Sequence, residues 1–209
     1  MGIKAVVFDY GQVISLPQDP KVIDALAGRI GVERDKFESL LWSLRREYDR
    51  GTVTAKEYYR ELLSQLGVSM DDGDIDELIE IDLLSWKNIN SATVALMEDL
   101  KTAGYILGIL SNMPKDFLAW ARKNIPVFSM PQIGLFSCEV NLVKPEAAIY
   151  EKLISMSGVE AGELVFFDDN PENVRSAASM GINAFLWESP EKARRELSSL
   201  GVGLKKIPA

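Results

Sequence analysis

Residues 4–14 read KAVVFDYGQVI, and this stretch gives the first indication of the architecture. Ala5–Phe8 form a continuous apolar run, which is typical of a strand buried on both faces in a parallel sheet. Asp9 follows at the carboxyl end of that strand, where α/β sheets usually form their ligand sites. Gly11 permits a sharp turn through a positive φ. On this stretch alone, Asp9 could equally cap the turn that follows it.

Composition and charge narrow the class of protein. The chain has 209 residues, enough for one large domain or for a core with a smaller appendage. Its formal net charge of −8 disfavours a nucleic-acid partner, which normally requires a basic surface. No apolar run approaches the roughly 18 residues of a membrane span, so no membrane partner is expected. The first strand follows Met1 almost directly, and we therefore expect no signal peptide and a cytoplasmic location.

Cysteine and histidine content limits the chemistry. Cys138 is the only cysteine, which excludes an internal disulfide and a thiolate zinc cluster and fits a reducing cytoplasm. The chain has no histidine, so acid–base catalysis must use carboxylates, lysine, tyrosine or metal-bound water. A metal site would consist mostly of oxygen ligands, which favours magnesium.

The segment after the first strand is predicted to be entirely helical. Its second helix spans about residues 34–50, and its third begins at a capping box formed by Thr54 and Glu57. Pro17 to Asn88 therefore form a compact unit of about four helices. On the second helix, Arg45, Arg46 and Arg50 are expected on a solvated face, with substrate contact as the alternative. Four aromatic residues are expected in the core of this helical unit, with a substrate shelf as the alternative: Trp42, Tyr48, Tyr58 and Tyr59.

Strands and helices alternate in the rest of the chain, which predicts a parallel sheet with right-handed crossovers. The predicted later strands are 105–110, 133–137, 164–167 and 183–187. The fold class is therefore α/β, with a Rossmann-like parallel sheet flanked by helices. Residues 1–16 and 89–209 form the predicted core, and residues 17–88 form an all-helical cap inserted after the first strand, over the strand ends.

Polar residues follow the predicted strands at one edge of this sheet. Asp9, the pair Ser111-Asn112 and the pair Asp168-Asp169 end three strands, and Lys144 lies in the loop after another. Taken singly, they are typical of a turn, a solvated surface lysine or a helix entry. Because the ends of parallel strands share one edge, the groups can converge on one site, and four polar ends with one lysine among three carboxylates are hard to explain by packing alone.

Four motifs carry a resemblance to a known family. They are FDYGQV at 8–13, LSNMP at 110–114, NLVKPEAAIY at 141–150 and FFDDNPENVRSAASMG at 166–181. In order and spacing the chain resembles the haloacid dehalogenase-like (HAD) hydrolase superfamily with an inserted helical cap. Within it, the pattern is similar to the sugar-phosphate phosphatase subgroup that includes α-D-glucose-1-phosphate phosphatase, and to the N-terminal phosphatase domain of soluble epoxide hydrolases.

The resemblance implies catalytic and phosphate-binding roles. Asp9 would be the nucleophile that attacks phosphorus and forms an aspartyl-phosphate. Lys144 would neutralise charge on Asp9 and on the phosphoryl group. The Ser111 hydroxyl and the Asn112 backbone would bind phosphate oxygens.

The resemblance also implies a magnesium site. Asp9, the backbone carbonyl of Gly11 and Asp169 would hold Mg²⁺, which offsets the repulsion between carboxylate and phosphate. Asp168 would orient Lys144 and complete the magnesium shell. Asn173 would support that loop.

One residue departs from the family pattern. Typical phosphatases of this family carry a second Asp two residues after the nucleophile as general acid and base, and this chain has Gly11 there. Such a loss costs about 10²–10⁴-fold if nothing replaces it. An anomeric leaving oxygen is less basic and needs less help, and Gln12 could position a water although it cannot protonate a leaving group.

The resemblance and the residues together favour a magnesium-dependent phosphatase of a small phosphorylated metabolite, with a sugar 1-phosphate as the expected substrate. One alternative is a metal-independent 2-haloacid dehalogenase in which Asp9 attacks carbon; the doubled Asp168-Asp169 argues against it, because uncompensated negative charge would repel a haloacid carboxylate. The other is a non-catalytic phosphate-binding HAD-like protein, which only Gly11 supports directly. Substrate identity and oligomeric state stay open.

Overall fold

The computed structural model describes residues 2–204 and contains a five-stranded, wholly parallel sheet in the order β3-β2-β1-β4-β5. The strands are β1 (Ala5–Phe8), β2 (Ile106–Ser111), β3 (Ile133–Phe136), β4 (Leu164–Asp168) and β5 (Asn183–Leu186). The predicted α/β class is confirmed, with each strand end within one residue of its expected position. Met1 and residues 205–209, which the predicted core includes, lie outside the described residues.

Ten α-helices accompany the sheet in this part of the chain. They are α1 (Pro20–Ile30), α2 (Arg34–Arg50), α3 (Ala55–Leu66), α4 (Asp72–Ser85), α5 (Ser91–Thr102), α6 (Lys115–Asn124), α7 (Ser137–Val140), α8 (Ala147–Ser157), α9 (Pro171–Ser179) and α10 (Pro190–Ser199). None of the helices in residues 2–204 combines the length and the apolar character that a bilayer span requires.

Helices cover both faces of the sheet, which explains why its central strands are continuous apolar runs. Val6 and Phe8 of β1 pack into a cluster with residues of α5, α6 and α10. Ala5 and Val7 point the other way, into a cluster with residues of α8 and α9. Every residue of β1 is fully buried, as expected for a strand between two layers of helices.

Strand register brings the polar strand ends to one level. Phe8 lies opposite Ile109 of β2 and opposite Phe167 of β4. Asp9, which directly follows β1, therefore lies level with Leu110, one residue before the end of β2, and with Asp168 of β4. This juxtaposition places the candidate site at the carboxyl edge of the sheet.

The helical block α1–α4 lies between β1 and α5 and has a hydrophobic cluster of its own. The two segments that join this block to the sheet run side by side. Ser15 and Ile89 form an antiparallel bridge, the Leu16 N–H donates to the Asn88 carbonyl at 2.8 Å, and the Asn90 N–H donates to the Ile14 carbonyl at 2.9 Å. These pairs lie where the boundaries of the insertion are predicted.

The C-terminal end of α2 is held closely against the sheet-containing part of the chain. Lys115 Nζ donates to the Gly51 carbonyl at 2.9 Å, and Asn141 Nδ2 donates to the Arg50 carbonyl at 3.1 Å. Gly51, the C-cap, has φ +80°, and a Cβ there would lie 2.9 Å from the Cys138 carbonyl oxygen. Only a residue without a side chain fits this approach.

Gly51→Ala is expected to destabilise the protein by about 2–4 kcal/mol, because the left-handed conformation costs about 1–2 kcal/mol and the clash with Cys138 adds to it. Gly67→Ala is the matched control, since Gly67 ends α3 with φ +74° and has no atom within 4 Å of an added Cβ. Urea unfolding of both variants measures the difference. Equal losses for the two variants would contradict the close approach at Gly51.

Candidate active site

Three carboxylates and one lysine meet at the carboxyl edge of the sheet. Oxygens of Asp9, Asp168 and Asp169 lie within 4.8 Å of one another. Lys144 Nζ lies 2.9 Å from Asp9 Oδ1 and 2.5 Å from Asp168 Oδ2, and its side chain is only 1% exposed. Burial acts to lower the pKa of Lys144, but Asp168 and Asp9 outweigh it and raise that pKa above its usual range. The lysine therefore stays charged between the two carboxylates.

Asn112 holds the loop that carries Lys144, through its side chain. The Lys144 N–H donates to Asn112 Oδ1 at 2.9 Å, and Asn112 Nδ2 donates to the Lys144 carbonyl at 3.0 Å. Lys144 Nζ also donates to the carbonyl of Leu110 at 3.2 Å. The end of β2 thus holds both the backbone and the side chain of Lys144. The sequence did not predict that the Asn112 side chain binds the Lys144 backbone.

Asp168 is fully buried and bonded on both oxygens. Asn173 Nδ2 lies 2.9 Å from Oδ1 and 3.1 Å from Oδ2, and the Asn170 N–H donates to Oδ1 at 2.8 Å. Because Lys144 occupies the remaining direction of Oδ2, this carboxylate is fixed in place. Asp168 and Lys144 are thus held against each other, and the orienting role of Asp168 stays a prediction.

Asp9 is bonded on one oxygen only. Its Oδ1 accepts from the Tyr10 N–H at 2.7 Å and lies beside Lys144 Nζ, whereas within residues 2–204 no group donates to Oδ2. Burial raises the pKa of Asp9 to about 7, with Lys144 acting in the opposite direction and Asp168 in the same direction. Asp9 is therefore oriented through Oδ1, while Oδ2 has no donor among the described residues.

The charges of this cluster are suited to a divalent cation. Three carboxylates face one lysine, so negative charge remains uncompensated. Gln12 Nε2 donates to Asp169 Oδ2 at 2.6 Å and leaves the other oxygen of that carboxylate without a donor among the described residues. Carboxylate oxygens are ligands that Mg²⁺ prefers. The donor set thus fits the predicted magnesium site.

The backbone at Gly11 corrects one prediction. Gly11 has φ −61° and ψ 128°, which any residue can adopt, and the positive φ of 57° falls on Gln12. A Cβ built on Gly11 would meet only Trp86, at 3.7 Å from its Cζ3 atom. The expectation that Gly11 takes a positive φ is therefore wrong, and the position has room for a side chain.

A cavity of about 100 Å³ opens onto this cluster, between the sheet edge and the helical block. Asp9, Gly11, Ser111 and Asn112 line it from the sheet, together with Phe117 of α6. From the helical block it is lined by Trp42, Arg45, Asp49 and Trp86. A cavity of this size fits a phosphoryl group and a few further atoms.

Arg45 is not on a solvated face, contrary to the prediction. Its side chain is 12% exposed, with Nε 3.0 Å from Asp49 Oδ1 and Nη1 2.9 Å from Asp82 Oδ2. Its guanidinium carbon also lies 5.1 Å from the Tyr48 ring centroid. Both sides of the guanidinium are thus occupied by carboxylates of the helical block.

Arg46 and Arg50 do not line the cavity. Both bind Glu146, with Nη2 at 2.9 Å for Arg46 and at 2.7 Å for Arg50, so they join the helical block to the loop after Lys144. The alternative that these two arginines contact substrate is not supported by their position.

The aromatic predictions have a mixed outcome. Tyr48, Tyr58 and Tyr59 are buried in the cluster of the helical block, as predicted. Trp42 is not part of that core: it is 44% exposed, lines the cavity and contacts Trp86 edge to face at 6.3 Å between centroids. Sequence reasoning also missed Asp49 and Trp86. The only signal for Asp49 is its position four residues after Arg45, which places both on one helix face.

Comparison with known proteins gives consistent similarities. The family model for haloacid dehalogenase-like hydrolases matches residues 3–181. Bifunctional epoxide hydrolase 2 of Sus scrofa is 25% identical over the whole chain, which spans 41% of that protein. D-ribitol-5-phosphate phosphatase of Bacteroides thetaiotaomicron is 25% identical over 94% of the chain and 97% of its own length.

A solved structure of similar fold comes from the same bacterium. It is a HAD family enzyme in complex with magnesium and inorganic phosphate, and it superposes with a TM-score of 0.70 and 23% identity. The match covers 90% of this chain and 95% of that one, so the similarity of fold includes both the sheet and the helical block.

Proposed function

Because the chain belongs to the haloacid dehalogenase-like hydrolase family, we propose that it is a magnesium-dependent phosphatase of a small phosphorylated metabolite. The observation that carries the proposal is Asp9, which is held through Oδ1 by Lys144 and the Tyr10 N–H while Oδ2 remains available. The ribitol-phosphate phosphatase similarity and the magnesium–phosphate complex of the structural neighbour support the same reaction.

In the proposed reaction, Asp9 Oδ2 attacks phosphorus and forms an aspartyl-phosphate, which water then hydrolyses. Lys144 offsets the negative charge that gathers on Asp9 and on the phosphoryl oxygens. The Ser111 hydroxyl and the Asn112 backbone, both at the end of β2 and in the cavity wall, bind phosphate oxygens. Asp168 and Asn173 keep the lysine in position.

Magnesium would be held by Asp9, the Gly11 carbonyl and Asp169, near Asp168. When bound, it supplies a Lewis acid that reduces repulsion between the carboxylates and the incoming phosphate. The argument that these residues would bind Mg²⁺ rests on the negative charge of the three carboxylates that Lys144 does not compensate. A metal-independent dehalogenase is disfavoured by the same charge, since a haloacid carboxylate would meet three aspartates.

We infer that residues 17–88 act as a cap that selects the leaving group, since Trp42, Arg45, Asp49 and Trp86 supply one wall of the cavity. Arg45 is already paired with Asp49 and Asp82, so this wall offers no unpaired positive charge to a second anionic group. An uncharged leaving group therefore fits best, and the similarity to a ribitol-phosphate phosphatase favours a sugar 1-phosphate or a polyol phosphate. Cys138, the single cysteine, is buried and has no partner for an internal disulfide, which suits a reducing compartment, and we infer that the enzyme acts in the cytoplasm.

Metal removal tests the proposed function. After treatment with EDTA, hydrolysis across a panel of sugar and polyol phosphates is expected to fall below about 1% of its initial rate, because the phosphate must otherwise approach uncompensated carboxylates. Magnesium should restore it, with calcium as the matched divalent control. Chloride release from 2-chloropropionate in metal-free buffer would instead establish the dehalogenase. Phosphate binding without turnover of any substrate would establish the non-catalytic protein.

A further inference from the structure

The carboxylate missing at Gly11 has a candidate replacement on the helical block. We propose that Asp49, near the end of α2, is the general acid and base of the phosphatase reaction; this proposal rests on the proposed function above. Asp49 lines the same cavity as Asp9, Gly11 and Ser111, whereas the neighbouring carboxylate Asp82 does not. It is the only acidic residue that the helical block contributes to the lining of this cavity, within residues 2–204.

The two oxygens of Asp49 differ in their surroundings. Oδ1 accepts from Arg45 Nε at 3.0 Å, and within the described part of the chain nothing donates to Oδ2. The side chain retains 15% exposure, and Asp49 is one of the residues that line the cavity. One oxygen is thus oriented by an arginine while the other is available to a leaving group or a water, the arrangement that proton transfer requires.

The backbone at Asp49 is fixed against the sheet edge. Ser137 Oγ, at the start of α7, donates to the Asp49 carbonyl at 2.5 Å and also accepts from the Met113 N–H at 2.9 Å. The close approach of Gly51 to Cys138 lies two residues further on. Asp49 therefore has a defined position relative to the strand that carries Ser111, although it belongs to a different layer of the molecule.

The environment of Asp49 also favours its protonated form. Burial raises the pKa of the carboxyl group above its ordinary value, and Arg45 on the same helix opposes this. From the other elements, Asp82 of α4 acts to raise the pKa and Lys144 of the sheet edge acts to lower it. A carboxyl group with a raised pKa can donate a proton at neutral pH more readily than an ordinary aspartate.

The proposed steps balance as follows. Asp9 Oδ2 forms a bond to phosphorus, the bond from phosphorus to the leaving oxygen breaks, and protonated Asp49 gives its proton to that oxygen, which departs as an alcohol. Water then attacks phosphorus and gives a proton to the Asp49 carboxylate, while the bond from phosphorus to Asp9 breaks. Inorganic phosphate leaves, and both aspartates return to their starting states.

The test compares Asp49→Asn with Asp76→Asn, which makes the same change on an exposed residue of the helical block. With an alkyl phosphate such as ribitol 5-phosphate, kcat of Asp49→Asn is expected to fall by about 10²–10⁴-fold, since the leaving oxygen is no longer protonated. With p-nitrophenyl phosphate, whose leaving group needs no proton, we expect a burst of one equivalent of nitrophenol and then slow turnover. Asp76→Asn should behave as the wild type with both substrates.

A second variant separates proton transfer from substrate binding. Gly11→Asp in the Asp49→Asn background is expected to recover at least about tenfold of the lost kcat, because that position has an ordinary backbone conformation and room for a side chain. If circular dichroism shows that Asp49→Asn is poorly folded, the comparison is repeated with Asp49→Ala, alone and combined with Gly11→Asp.

Distinct outcomes overturn distinct claims. An inactive wild-type enzyme would remove the proposed function itself. An active wild type with Asp49→Asn equal to Asp76→Asn would remove the role of Asp49 and leave the phosphatase intact. A higher KM with unchanged kcat, or a lower kcat that Gly11→Asp does not raise in either background, would show that Asp49 only binds substrate or supports the cap.

Discussion

Replacing Asp9 by Asn is expected to abolish phosphate hydrolysis while the protein remains folded. The amide has the shape of the carboxylate but is not a nucleophile, and loss of a nucleophile costs on the order of 10³–10⁶-fold in kcat. The change also removes one of the negative charges that surround Lys144, so the free energy of unfolding should not fall. The Tyr10 N–H and Lys144 can still donate to the amide oxygen.

Acid quenching after mixing with labelled substrate measures the intermediate directly. The wild type should carry phosphate on Asp9, and Asp9→Asn should carry none. Asp76→Asn, on the surface of the helical block, controls for the loss of a charge in general. Hydrolysis by Asp9→Asn above about 1% of the wild-type rate would exclude a covalent mechanism through Asp9, because the amide cannot act as the nucleophile.

The sheet and its helices were predictable because local sequence specifies them. Ala5–Phe8 is an uninterrupted apolar run, and the structure places it between two layers of helices, where both of its faces are buried. The capping box at Thr54 and Glu57 forms both of its expected hydrogen bonds. Such signals act within a few residues, so they can be recognised without knowledge of tertiary contacts.

The cavity wall supplied by the helical block was not predictable in the same way. Helical periodicity shows that Arg45 and Asp49 share a face of α2, but it cannot show whether that face meets solvent or another layer of the protein. The sequence pattern of a polar helix face that packs toward the sheet edge is the same as that of a polar face exposed to solvent. The same ambiguity explains Trp42, an aromatic residue that lines the cavity instead of the core of the block.

The predicted backbone conformation of the turn after β1 was wrong for a different reason. A glycine two residues after a strand suggests a positive φ, but here Gln12 takes that conformation. The Gln12 side chain reaches Asp169, and its N–H donates to Ser15 Oγ at 3.1 Å, so long-range and local contacts together hold the strained residue. Sequence alone does not reveal which of two adjacent residues accepts the strain.

Lys144→Met is expected to remove activity and much of the stability together. Methionine keeps an unbranched side chain of similar length but leaves Asp9 and Asp168 buried without their shared cation. Removing one partner from a buried ion pair costs about 3–5 kcal/mol. Loss of a group that stabilises developing charge costs about 10²–10³-fold in kcat.

Urea unfolding with and without magnesium separates the two roles of the lysine. If Lys144 and Mg²⁺ neutralise the same carboxylates, then magnesium should raise the stability of Lys144→Met by more than it raises that of the wild type. Lys152→Met changes an exposed lysine of α8 and should alter stability by less than about 0.5 kcal/mol. A Lys144→Met protein that keeps wild-type stability would contradict the burial of Asp168, because an unpartnered carboxylate in that position has only Asn173 and the Asn170 N–H to satisfy it.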